Sequence, residues 1–292
     1  MPSPSRSRRA AVAVICLALL VAAALGGAAT ARAAAAHAVP VLRVCADPNN
    51  LPFTDRARRG FEDRILEVVA AELGARLEYT WWAQRRGFLR NTLKARRCDL
   101  VAGMPSGGEG MLATAPYYRS SYVFVTRREA RVKPRSLDDP ALRDLRIGVQ
   151  LVGDDYASSP PGFALARRGI VDNVRGYLVY GDYREESPPA EIVRAVARGD
   201  VDVALVWGPL AGYWARRQPV PLEVAPIEAA AQDAALPMAF DVAMGVRKRD
   251  ARLRDRVDAA LARRRGDVDR ILAEYGVPRV AARPREEMEA GR

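Results

Sequence analysis

Imidazole is almost missing from this sequence, which carries one histidine, His37, in 292 residues. It lies at the end of an expected export leader, so the processed chain keeps none. That excludes Ser-His-Asp and Cys-His nucleophiles and histidine-ligated zinc, and with them most enzyme classes. Lysine is scarce too: positions 94, 133 and 248 are the only three among 46 basic residues. Past the leader, no apolar run approaches the roughly 20 residues of a membrane helix. There is no internal repeat and no low-complexity stretch. Neither G-x-x-x-x-G-K-S/T nor G-x-G-x-x-G occurs. The loop Ser106-Gly107-Gly108-Glu109-Gly110 therefore reads as a mobile border after a strand and not as a phosphate cradle.

What is present begins with the leader. Arg6, Arg8 and Arg9 precede an apolar run from Ala10 to about Leu25, and cleavage is expected between residues 33 and 38, which makes 1–38 a signal peptide for the periplasm. Cys16 has no lipobox around it, so no lipid anchor is expected. Cutting after Ala38 leaves 254 residues, and the net charge of +11 falls to +7. The basic residues are scattered among acids, so nucleic acid is not an expected partner and neither is stable insertion into a membrane.

Apolar periodicity sketches an α/β chain. Leu42 to Phe53 reads as a first strand that breaks into a shaped loop with Pro48, Asn49, Asn50 and Pro52. Helices are expected over 61–73, 87–96, 137–143 with Ser136 as N-cap, 188–198 stopped by Gly199, 210–217, 251–264 and 268–275. Strands are expected over 77–82, 98–104, 121–126, 145–150, 201–207 and 238–246. Strand and helix alternate in short units, which argues for parallel sheets with right-handed crossovers. Two extended crossings divide the chain into a first lobe (39–124 and 241–280) and a second (125–240), followed by a disordered tail (281–292).

Cys45 and Cys98 survive processing and lie near the ends of two expected strands. In an oxidising compartment a disulfide is the simplest reading, stabilising by roughly 4 kcal/mol through loop closure. A reactive thiol or a metal site is the alternative, and no metal is expected.

The order of elements resembles that of type II periplasmic solute-binding proteins, through Asp99-Leu100-Val101-Ala102-Gly103, Pro116-Tyr117 and Gly199-Asp200-Val201-Asp202. A narrower likeness rests on Val44 to Phe53, Tyr79-Thr80-Trp81-Trp82, Gln84-Arg85-Arg86-Gly87-Phe88, Arg90-Asn91-Thr92-Leu93, Arg97-Cys98-Asp99 and Pro116-Tyr117-Tyr118-Arg119-Ser120. These resemble the quinoprotein-dehydrogenase-associated binding-protein-like family, the "J" accessory proteins of methanol dehydrogenases. The resemblance implies a two-lobed type II fold with a two-strand hinge and an inter-lobe cleft. It also implies a non-enzymatic accessory role beside a quinoprotein dehydrogenase and its c-type cytochrome. Pyrroloquinoline quinone would belong to the partner, and this chain would bind no cofactor.

Amino-acid receptors with this fold grip the ligand carboxylate with an arginine after the glycine-rich strand end, and its ammonium with an aspartate on a later strand. Here residues 105–110 hold no arginine and the later strand ends in Trp207. Two unpaired buried charges would cost several kcal/mol each, so amino-acid transport is disfavoured. A receptor for another small solute is the alternative to the accessory role. The expected cleft residues are Asp47, Asn49, Asn50, Phe53, Trp82, Arg86, Tyr117 and Trp207. Arg85, Arg86 and Arg90 are candidates to meet a partner carboxylate, or else form a solvated helix face.

Overall fold

The computed structural model describes residues 39–152, 157–179, 183–228, 231–233 and 235–281. The expected leader and most of the expected tail lie outside these residues.

Strand β1 (Val41–Ala46) pairs in parallel on one side with β2 (Arg76–Trp81) and on the other with β3 (Leu100–Pro105). Helix α1 (Phe61–Glu72) makes the crossover between β1 and β2. Its Phe61, Ile65, Leu66 and Val69 fall on one face and are fully buried, the spacing that seats an amphipathic helix on a sheet. Asp63, in the first turn, accepts from the backbone N–H of Gly60 at 3.1 Å and of Asp55 at 3.2 Å, which satisfies helix-start donors and fixes the incoming loop.

Strand β4 (Tyr118–Arg127) is the long element that joins the two halves. Its first residues pair antiparallel with β9 (Ala239–Val246), from Tyr118 opposite Val242 to Ser121 opposite Ala239. From Tyr122 onward it pairs instead with β7 (Val203–Trp207) and with β8 (Leu222–Pro226). The change of partner between Ser121 and Tyr122 is the point where one lobe gives way to the other. With β5 (Ile147–Val152) and β6 (Val174–Leu178), the sheet order is β6-β5-β7-β4-β9-β3-β1-β2. Helices α3 (Pro160–Arg167), α4 (Glu191–Arg198) and α5 (Gly208–Ala215) cover the second lobe. The last helices, α6 (Ala251–Arg263) and α7 (Arg265–Glu274), return to pack on α1 of the first lobe. This is the two-lobed type II arrangement, with β4 and β9 as a two-strand hinge.

The hinge is braced from outside. Arg119 and Asp241 form a largely shielded ion pair across the two strands at 2.8 Å. The C-terminal segment lies along them, with Ser120 Oγ donating to the carbonyl of Pro278 at 2.6 Å and Val280 N–H donating to that of Arg119 at 3.2 Å.

Two expectations need correction, and three elements were not expected. The helix expected over 87–96 is the four-residue α2 (Phe88–Asn91). It starts at Gly87 with φ +85°, and Arg96, also left-handed, turns the chain so that Cys98 reaches Cys45. The 137–143 helix is a 3-10 turn over Pro140–Arg143, capped by Asp139 and not by Ser136, because the Asp139 carboxylate reaches the N–H of Ala141 at 2.9 Å. The helix α3 and the strands β6 and β8 have no counterpart in the sequence reading.

Cys45 and Cys98 form a disulfide that closes a loop of 53 residues. Phe88, Leu93, Val101 and Met111 pack around it. On loop length alone the bond contributes about 4 kcal/mol.

Candidate functional site

A cavity of about 290 Å³ lies between the lobes. The first lobe lines it with Asn50, Phe53, Glu62, Gln84, Gly103 and Tyr118, the second with Gln150, Val152, Val179, Trp207 and Leu210, and the hinge with Tyr122 and Phe240. Three of the rings form an edge-on cluster. Trp207 lies 5.4 Å from Tyr122 and 5.8 Å from Phe240 between ring centres, close to the favourable separation for tilted aromatic pairs. Trp207 stands at the end of β7, where its backbone N–H donates to Gln150 Oε1 at 2.7 Å. That bond uses one polar arm of Gln150 to hold the tryptophan in place.

Among the described residues no arginine or lysine lines the cavity. Among the described lining residues the one carboxyl is Glu62, on the first turn of α1 and 4% exposed. Burial raises its pKa from an ordinary 4.5 to about 8, against the opposing effect of Tyr117, whose hydroxyl donates to Glu62 Oε1 at 3.1 Å. At neutral pH Glu62 is therefore mostly an uncharged acid, able to donate a hydrogen bond. Gly103 makes this contact feasible: it has φ +67°, and a β-carbon there would sit 2.4 Å from Glu62 Oε1. Its N–H also donates to the Tyr117 hydroxyl at 3.1 Å. Opposite these groups, the buried Asn50 Oδ1 has no hydrogen-bond partner among the described residues. The cavity thus offers aromatic faces and one neutral acid, with an unpartnered acceptor buried in its wall.

The rim has a different chemistry. Asp47 Oδ1 accepts from Asn49 N–H at 2.8 Å, and Oδ2 accepts from Gln84 N–H at 2.6 Å and from the hydroxyl of Tyr183 in the second lobe. Burial, then the Asp47 carboxylate, push the Tyr183 hydroxyl far up, so it stays a donor. The Arg85 guanidinium lies 4.8 Å above the Tyr183 ring. Asn49 extends the same bridge, donating from Nδ2 to the Glu185 carbonyl at 2.9 Å and accepting on Oδ1 from Ser187 N–H at 3.2 Å. Trp214 Nε1 donates to the Leu51 carbonyl at 3.2 Å. The loop after β1 is therefore bonded at four points to the opposite lobe.

Of the eight residues that the sequence singled out, Asn50, Phe53 and Trp207 line the cavity, and Asp47 and Asn49 form the rim. Tyr117 lies behind the wall and acts through Glu62. Trp82 and Arg86 are elsewhere. Trp82 packs toward the disulfide with Arg97 5.0 Å over its ring, and Arg86 is exposed. Sequence reasoning missed Glu62, Gln150 and Tyr183. Glu62 precedes Ile65 by three positions and Leu66 by four, and so shares the buried face of α1. That spacing was the available signal.

No family model matches this chain. Among known proteins it is similar to Protein MoxJ of Methylorubrum extorquens AM1, 32% identical over 250 residues that cover 81% of each chain. Among solved structures it is similar to the periplasmic binding protein XoxJ from Methylobacterium extorquens AM1, at 36% identity and TM-score 0.68 over 82% of this chain and all of that one. It shares the fold of MxaJ from Methylophaga aminisulfidivorans MPT, at 23% identity and TM-score 0.72 over 82% of this chain and all of that one. With this fold, this coverage and this identity, the chain belongs to the MoxJ family of the type II periplasmic binding-protein superfamily.

Proposed function

We propose that this protein is a periplasmic, non-enzymatic accessory protein of a methanol or other alcohol dehydrogenase that uses pyrroloquinoline quinone. It uses the binding-protein fold to engage, mature or activate that enzyme, and the enzyme's c-type cytochrome is a further partner. The cofactor stays with the enzyme, and this chain binds none. The observation that carries the reading is the aromatic, cation-free lining of the cavity in a chain of this family: among the described residues no arginine or lysine lines it, and its carboxyl, Glu62, is kept mostly protonated by burial. The export leader expected over 1–38 and the Cys45–Cys98 disulfide support the periplasm. Among the described residues, no helix is long and apolar enough to cross a membrane.

Capture from a periplasmic extract with the tagged full chain tests the proposal. Recovery of a quinoprotein dehydrogenase is the expected result. Recovery of an importer permease without a dehydrogenase would overturn it. The cavity itself favours a second reading, a receptor for a small uncharged solute, because Asn50 Oδ1 and the ring cluster provide for a guest.

A further inference from the structure

Beside the cleft, on the first lobe, lies a second and wider groove of about 850 Å³. Two separate segments bring four cations to it, Arg85, Arg90 and Lys94 on one and Lys248 on the other, against one acid among the described residues, Glu109 on a third. Two of the chain's three lysines are here. Arg90, Lys94 and Lys248 have no ion-pair partner among the described residues, whereas nearby Arg247 is bound to Asp99 and Asp250. Glycines seat two of these cations. Gly110, at φ +88°, has the Lys94 ammonium against it, 2.8 Å from where a β-carbon would be, and Gly87 likewise has the Arg90 guanidinium at 3.2 Å. Phe88, Leu89, Met104 and Pro105 supply an apolar floor between them.

We infer that this groove docks an extended acidic segment of a protein partner, with carboxylates on the rim cations and an apolar side chain on the floor. The groove is too large and open for a single small anion. Its excess of positive charge selects acidic chains and rejects basic ones. The inference deepens the accessory reading by giving the chemistry of the partner's contact. It rests on that reading only for the partner's identity.

The test uses the full chain, a labelled peptide alternating glutamate and leucine, and the same peptide with lysine for glutamate. Wild type should bind the acidic peptide, more weakly as salt rises, and K94E/K248E should weaken binding about tenfold. A second pair, R131E/R167E, makes the same charge change at two exposed positions on the other lobe. It should stay within about twofold of wild type, since neither position lines the groove and distant exposed charges are screened. Thermal melting of each variant separates loss of binding from loss of fold. No preference for the acidic peptide, or equal binding by wild type and K94E/K248E, would overturn the groove. Capture of the dehydrogenase is read in parallel. If the groove variant captures it as well as wild type does, the accessory role stands without the groove. If the acidic peptide binds and no dehydrogenase is captured, the groove stands and the partner is a different one.

Discussion

The interior of the cleft and its rim are a few residues apart in sequence and opposite in character. The rim spends its polar groups on the protein itself: both oxygens of Asp47 and both arms of Asn49 are engaged. The interior keeps Asn50 Oδ1 unbonded and lines its walls with rings. Closure and recognition are thus carried by different residues. In a receptor whose ligand draws the lobes together, the ligand's own charges bridge them. In this chain, side chains at the rim make the bridge.

The largest expected effect comes from undoing the anchor beneath the rim. Cys45 is two residues from Asp47, and replacing Cys45 and Cys98 by serine should lower stability by about 4 kcal/mol in urea denaturation. Hydrogen exchange should rise more at 47–53 than at Trp207. Equal change at both would mean that rim and interior are one cooperative unit. Next is the interior itself. Trp207→Ala removes the centre of the ring cluster and should cost about 3 kcal/mol. It should also abolish binding of a neutral aromatic such as naphthol, measured by calorimetry, while the rim bonds persist.

Glu62→Gln sharpens the contrast through pH. The folded chain holds the Glu62 proton up to about 8, and an unfolded chain releases it near 4.5. Between those values the folded state binds the extra proton, so this group's contribution to stability falls as pH rises and then levels off above 8. Asp63, raised by burial to about 7, slopes the same way and remains in the variant. Glu62→Gln should therefore come close to wild type near pH 5 and exceed it by several kcal/mol near pH 9. A parallel pair of stability curves would place the proton elsewhere. The smallest effect is at the rim: Tyr183→Phe loses one bond between the lobes and should cost about 1 kcal/mol. It should speed entry of naphthol without changing which guests bind.

Much of this arrangement is legible in the sequence because it is local. The break from an apolar strand into Asp47-Pro48-Asn49-Asn50 marks a shaped loop, and the period of Phe61, Ile65 and Val69 fixes α1. Trp207 at the end of an apolar run is placed by the same rule. The rim is not local. Tyr183 meets Asp47 across 136 residues, and no periodicity reports how two lobes close on one another. Glu62 was hidden because a glutamate in the first turn of a helix ordinarily faces water and favours the helix dipole. Only the packing of Gly103 and Tyr117 behind it shows that it is buried. Trp82 and Arg86 misled for a related reason: they flank Gln84, which does reach the cavity, but Trp82 turns toward the disulfide and Arg86 is exposed.

The most direct measurement is calorimetric titration of the wild-type protein with each proteinogenic amino acid and, separately, with naphthol. A cavity with no cation among its described lining residues should give no heat of binding with any zwitterion and saturable binding of the neutral aromatic. Micromolar affinity for a free amino acid would contradict the account.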